Sequence, residues 1–194
     1  MKHFSKKLIR SVICFFMSVL WCQFSLAVPA EVIIIRHAEK PPMGGDGLTA
    51  QGQQRANALV NYFLNTPALT QYGTPIAIYA EAPRKKDTTR AILTCTPTAN
   101  ALNMTVQSTY TRDQYAQLAQ GILSNPQYTG KTVLICWEHK TIPMLVNALG
   151  VQPMPSPWPD NVFDRTLVIN YQANGSIASF QNLPQHLLDG DSVQ

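Results

Sequence analysis

The chain has 194 residues and a formal net charge of +4, with fifteen lysines and arginines, eleven acids and four histidines. Four of the bases and none of the acids fall within the first 27 residues, so residues 28–194 are balanced at eleven against eleven. That balance excludes the basic footprint of a general nucleic-acid binder, and about 165 residues suffice for one domain with a sizeable core.

"MKHFSKKLIR" at the N-terminus carries Lys2, Lys6, Lys7 and Arg10, and "SVICFFMSVLWCQFSLA" continues as an apolar run closing on Ser25-Leu26-Ala27. This layout reads as a secretory signal over 1–27, cleaved after Ala27, with Ala30 as the second choice. A retained anchor is the alternative, against which the run is short of the ~20 residues a spanning helix needs. Trp21 stands where a lipid-anchor site before Cys22 requires a small residue. The expected product is a single domain over 28–194 in the periplasm or secreted, with no stable membrane association. Its two cysteines, Cys95 and Cys136, lie in apolar stretches, and both a bridge and two buried thiols are open.

In chain order, "EVIII" (31–35) is a β-branched run suited to a strand buried on both faces. Residues 47–65 carry Leu48, Ala56, Leu59, Val60, Phe63 and Leu64 on one helical face, with Thr49 as N-cap. "PIAIYA" (75–80) reads as a strand, and 87–103 as a helix that Pro97 must kink or divide. "MTVQST" reads as a short strand, 112–123 as a helix, "KTVLICW" (131–137) as a buried strand, and 141–150 as a helix ending at Gly150. A proline-rich loop, "VQPMPSPWPDN", then leads to "RTLVINY" and "SIASFQ", a predicted hairpin about "QANG". Alternation of strand and helix over 31–150 predicts a mostly parallel sheet covered by helices on both faces.

Chemistry gathers at the carboxyl ends of strands in such folds. Arg36 and His37 follow the first strand, Glu138 and His139 follow "VLICW", and Arg90 opens the helix after "IAIYA". Arg84, Lys85 and Lys86 occupy the loop before Arg90. His186, the remaining histidine after the signal, lies in a polar tail. Two imidazoles beside two guanidinium groups suit phosphate better than a metal. Guanidinium forks match phosphate oxygens, a neutral imidazole can attack phosphorus, and a protonated one can stabilise the transferring oxygen.

These segments resemble the histidine phosphatase (phosphoglycerate mutase-like) superfamily. "RHAEK" (36–40) is similar to its Arg-His-Gly/Ala-Glu signature, "LTAQGQQRANAL" (48–59) to its first helix, and "RAILTCTPTANALNM" (90–104) to the segment with its second phosphate-pocket arginine. "WEHKTIP" (137–143) resembles the region of its second histidine, and "PWPDNVFDR" the tail of small exported members. The resemblance covers nearly all of 28–194 in order. It implies a three-layer α/β sandwich, His37 as nucleophile, and a phosphate pocket of Arg36, Arg90 and His139. Two departures stand out. Trp137, Glu138 and Lys140 crowd His139, and "EAPRKKDTTRA" is longer than the usual loop, which makes Arg84 the substitute for Arg90.

A leaving alkoxide needs an acid. Glu138 is the first candidate, followed by Asp113, Glu39 and Glu81, with Glu39 more suited to ordering its loop. "GGDG" (44–47) lacks the Lys-Ser/Thr of a P-loop. The residues point to an exported, metal-independent phosphomonoesterase that needs no cofactor and acts on a small phosphorylated metabolite or sugar phosphate. Two rivals are a catalytically weak phosphate or phospho-glycan binder and a metal hydrolase built on His37, His139 and Glu138. Substrate and oligomeric state are open.

Overall fold

The computed structural model describes residues 28–42, 45–83, 89–153 and 155–192. The signal reading and Arg84 fall outside these residues. Five strands form one sheet in the order β2-β3-β1-β4-β5. They are β1 (Glu31–Arg36), β2 (Ala77–Ala80), β3 (Thr132–Trp137), β4 (Arg165–Tyr171) and β5 (Ile177–Pro184). The helices are α1 (Ala50–Asn65), α2 (Pro67–Thr70), α3 (Arg90–Ala101), α4 (Tyr115–Ser124) and α5 (Ile142–Ala148). Among the described residues no helix is long and apolar enough to cross a membrane.

The sheet is mixed, not mostly parallel. β2, β3 and β1 run parallel, whereas β4 pairs antiparallel with β1 and β5 antiparallel with β4. The path of the chain explains the difference. α5 descends from the carboxyl end of β3, and the proline-rich loop climbs back to that end before β4 begins. A strand entered from the top next to β1 must run against it. The expected hairpin forms as β4 and β5.

β1 is buried at every position, and its residues divide by the period of two. Val32 and Ile34 join a cluster with Leu118 and Ile122 of α4 and Leu145 and Val146 of α5. Ile33 and Ile35 join a second with Leu59 and Phe63 of α1 and Ala91 and Cys95 of α3. Each such side chain contributes roughly 1.5–3 kcal/mol on full burial.

Two local expectations change. "MTVQST" forms only one parallel bridge, Gln107 with Tyr79, in which the Gln107 amide donates to the Ile78 carbonyl and its own carbonyl accepts from the Ala80 amide. Pro97 neither divides α3 nor ends it. It removes the donor to the Leu93 carbonyl, while Thr94, Cys95, Thr98 and Ala99 stay buried and hold the helix by packing. Cys95 and Cys136 are free, buried thiols. Burial, and then contact with Cys95, pushes the Cys136 thiol well up.

Candidate active site

Parallel register does the positioning. Arg36 is level with Trp137 and Ala80 with Cys136, so the residues after β1, β2 and β3 emerge at one edge. α1 closes that edge from the side. Thr49 caps it through the Gly52 amide at 3.0 Å, and its own amide donates to the Glu39 carbonyl at 2.9 Å. Gly52 is obligatory there, since a Cβ would lie 2.4 Å from the Glu39 oxygen.

His37 is 6% exposed. Its Nδ1 lies 2.7 Å from the Ala38 carbonyl, which can only accept, so Nδ1 carries the proton and Nε2 keeps a lone pair. The Ala38 amide in turn donates to Thr94 Oγ1 at 2.9 Å, tying the loop to α3. Burial lowers the His37 pKa to about 4; the Ala38 carbonyl opposes this, and Arg36, Arg90 and Lys40 reinforce it. The ring is therefore held in its neutral form at ordinary pH.

Arg36 is fully buried with its guanidinium 3.8 Å from the centre of the Phe163 ring. Its Nη1 donates to the carbonyls of Pro159, Asp160 and Val162 at 3.2, 2.8 and 2.8 Å. Nε and Nη2 are buried with no hydrogen-bond partner among the described residues. Unpaired buried donors are costly. Burial brings the Arg36 pKa down to about 10, while Glu138, Asp160 and Glu39 hold it up. Arg90 has an Nε in the same condition, and its Nη2 donates to the Gly45 carbonyl at 2.5 Å.

At the end of β3, His139 Nε2 lies 2.6 Å from Asp160 Oδ1, and Nδ1 lies 3.0 Å from Glu138 Oε1. The second approach is off the hydrogen-bond line, and Nδ1 has no bonded partner among the described residues. Glu138 Oε2 accepts the Lys140 amide at 3.0 Å and stands 3.9 Å from Arg112, whose Nε is 3.9 Å from Glu81. A cavity of about 180 Å³ is lined by His37, His139, Glu81, Glu138, Arg90, Arg112, Lys40, Lys140 and Ala91.

His37, His139, Glu138 and Arg90 therefore share one wall. Arg36 does not line it. Glu39 is committed to Arg55, which holds it at 2.7 Å and also bonds Asp191 and Gln185. Asp113 is exposed and away from the cavity. Of the four acid candidates only Glu138 and Glu81 stand at the wall. No sequence pattern singles out Asp160 or Arg112, which also belong to this edge. Asp160 sits in the proline-rich loop and Arg112 in a short 3-10 turn, and no periodicity announces the return of either to the strand ends.

The protein histidine phosphatase SixA, in a structure complexed with tungstate, superposes with a TM-score of 0.55 at 14% identity, over 80% of this chain and 97% of that one. The chain has the SixA-type histidine phosphatase fold. An Agrobacterium tumefaciens protein assigned as the phosphohistidine phosphatase SixA superposes with a TM-score of 0.50 at 18% identity, over 79% of this chain and 97% of that one. No protein-family model and no curated protein matches the chain. In this SixA-type fold β1 and β3 are direct neighbours, which is why residues 102 positions apart in the chain, His37 and His139, can serve one cavity.

Proposed function

We propose that the chain is an exported phosphomonoesterase working through a phosphohistidine on His37, without a metal. The observation that carries this reading is the buried imidazole whose Nδ1 is tied to the Ala38 carbonyl. Its Nε2 lone pair is left at a cavity shared with His139 and four cationic side chains. Nε2 attacks phosphorus as the bond to the leaving oxygen breaks, and the alkoxide takes a proton from Glu138, with Glu81 as the second candidate. Water, giving its proton back to that carboxylate, then attacks the phosphohistidine and releases phosphate. Arg90 and protonated His139 offset the transferring charge at the wall, and the buried Arg36 guanidinium adds its positive field from behind it. Tungstate, a tetrahedral oxyanion like phosphate, accompanies SixA in the structure whose fold this chain shares.

Among the described residues no cluster of three His, Cys, Asp or Glu side chains is arranged to hold a metal ion. A space of about 180 Å³ suits a phosphoryl group on a small molecule or on a protruding side chain, and we favour a small metabolite or sugar phosphate. Export, with residence in the periplasm or outside the cell, rests on the signal-like residues 1–27.

The test is aryl-phosphate hydrolysis by the protein lacking 1–27, with and without chelator. Activity should survive chelation, and His37→Ala should reduce it by at least roughly 10⁴-fold. Acid quenching during turnover should trap a phosphoryl adduct on the peptide containing His37. Turnover unchanged in His37→Ala ends the phosphohistidine reading. Tight vanadate binding with no aryl-phosphate turnover would mean a phosphate-binding protein instead.

A further inference from the structure

We infer that Asp160 is a positioning residue for His139: its carboxylate, held against Nε2 by a loop that Arg36 clamps, fixes the ring and favours its charged form, so that Nδ1–H is presented to the transferring phosphoryl group. The inference rests on the phosphatase reading and adds a residue that the reading does not contain.

Three observations converge on it. The contact is short, 2.6 Å from Nε2 to Oδ1, as charge-assisted hydrogen bonds are. Asp160 is also no ordinary surface carboxylate, although its side chain is 82% exposed. Exposed pairs usually gain little because two free side chains must be ordered. Here the ordering is done by the backbone. Arg36 Nη1 holds the carbonyl of Asp160 itself together with those of Pro159 and Val162. Trp158 Nε1 donates to the Val162 carbonyl at 2.8 Å, and Phe163 lies under the Arg36 guanidinium. The third observation is Nδ1, buried and with no hydrogen-bond partner among the described residues. With Nε2–H directed at Asp160, a neutral ring turns the Nδ1 lone pair toward Glu138 Oε1, 3.0 Å away. Protonating Nδ1 turns that lone pair into a donor.

The groups facing the ring pull in both directions. Burial is the largest influence and sets the His139 pKa below its ordinary value; Arg36 from β1 acts the same way, while Asp160 from the loop and Glu138 from the same strand end oppose them. An arriving phosphoryl anion joins the side of Asp160. His37, Glu81 and the cations Lys40, Arg90, Arg112 and Lys140 share the cavity. Asp160 itself is held below the usual carboxylate range by its bond to His139, which makes it a poor proton donor to a leaving group. Its role is exerted through His139.

Asp160→Asn keeps an acceptor oxygen and removes the charge. Aryl-phosphate kcat should fall roughly 10–100-fold at neutral pH, the alkaline limb of its pH profile should move to lower pH, and KM should change little. Asp160→Glu should recover part of the loss. The His139 ring titration, followed by ¹⁵N NMR without substrate, should move to lower pH in Asp160→Asn. An unmoved titration, or a uniform loss of kcat at every pH, overturns the inference. The two ideas fail separately: absence of hydrolysis by the unmodified protein removes the phosphatase reading, whereas the NMR titration judges the Asp160–His139 link without turnover.

Discussion

Glu31 opens β1 and His37 follows its last residue, and both are buried. Burial drives each toward its uncharged form, pushing Glu31 up to about 7 and His37 down to about 4. Their surroundings differ. His37 has Arg36, Arg90 and Lys40 nearby and stands at a cavity. Glu31 has the Thr132 hydroxyl at 3.3 Å and an Oε2 with no partner among the described residues. Near the Glu31 end lies a larger cavity of about 550 Å³, lined by side chains such as Val28, Leu149, Tyr171 and Ile177. Its phenol, Tyr171, already donates to the Leu149 carbonyl. Neither a shifted pKa nor a large hollow marks the site; convergence of unlike charges at one sheet edge does.

At the site end the buried cation Arg55 is paired with carboxylates, and removing it should do the most damage. Arg55 is 2% exposed between Glu39 and Asp191. Burial opposes its charge, but the two carboxylates hold its pKa above the ordinary value. Arg55→Ala strands both acids and should cost about 3–5 kcal/mol in urea unfolding. It should also lower activity, because Glu39 anchors the loop that carries His37. A loss under about 1 kcal/mol would mean that the triad is solvated in the working protein.

His37 should make the second-largest difference, and its sign is fixed. The native ring resists protonation until about pH 4, against an ordinary value of 6.5. Between those values the unfolded chain binds a proton that the native one does not, so stability falls as pH drops through that window. The full contribution is about 3 kcal/mol. Comparing the unmodified protein with His37→Gln at pH 7 and pH 4 isolates it: the variant should lose less stability on acidification. Equal losses would mean that the ring is not desolvated. The acid limb of kcat/KM assigned to His37 should likewise lie near pH 4 rather than 6.5.

Much of the site end is legible in the sequence because its signals are local. "EVIIIRHAEK" gives a buried strand and the residues at its carboxyl end, and the β-branched run of "KTVLIC" does the same for Glu138 and His139. What sequence cannot place depends on the route of the chain in space. The climb of the proline-rich loop decides both that β4 is antiparallel and that Asp160 meets His139. Arg112 reads from sequence as the first residue of a helix; it sits instead in a short 3-10 turn capped by Thr111 and Gln114. Glu39 reads as loop-ordering, and Arg55 supplies the reason.

Glu31→Gln should have the smallest effect and the opposite sign. A carboxyl raised from 4.5 to about 7 holds a proton in the native state that the unfolded chain has already lost. Its stabilisation is therefore complete below pH 4.5 and disappears as pH rises through about 7. Glutamine cannot ionise, which favours the variant at pH 8. Its amide, however, brings two N–H donors to a place where Oε2 finds no partner among the described residues, so part of the gain is lost. The expected result is a stabilisation of about 1–2 kcal/mol at pH 8 that vanishes or reverses at pH 5. A variant equally destabilised at both values would mean that Glu31 is ionised and paired, and the contrast between the two ends of β1 would collapse.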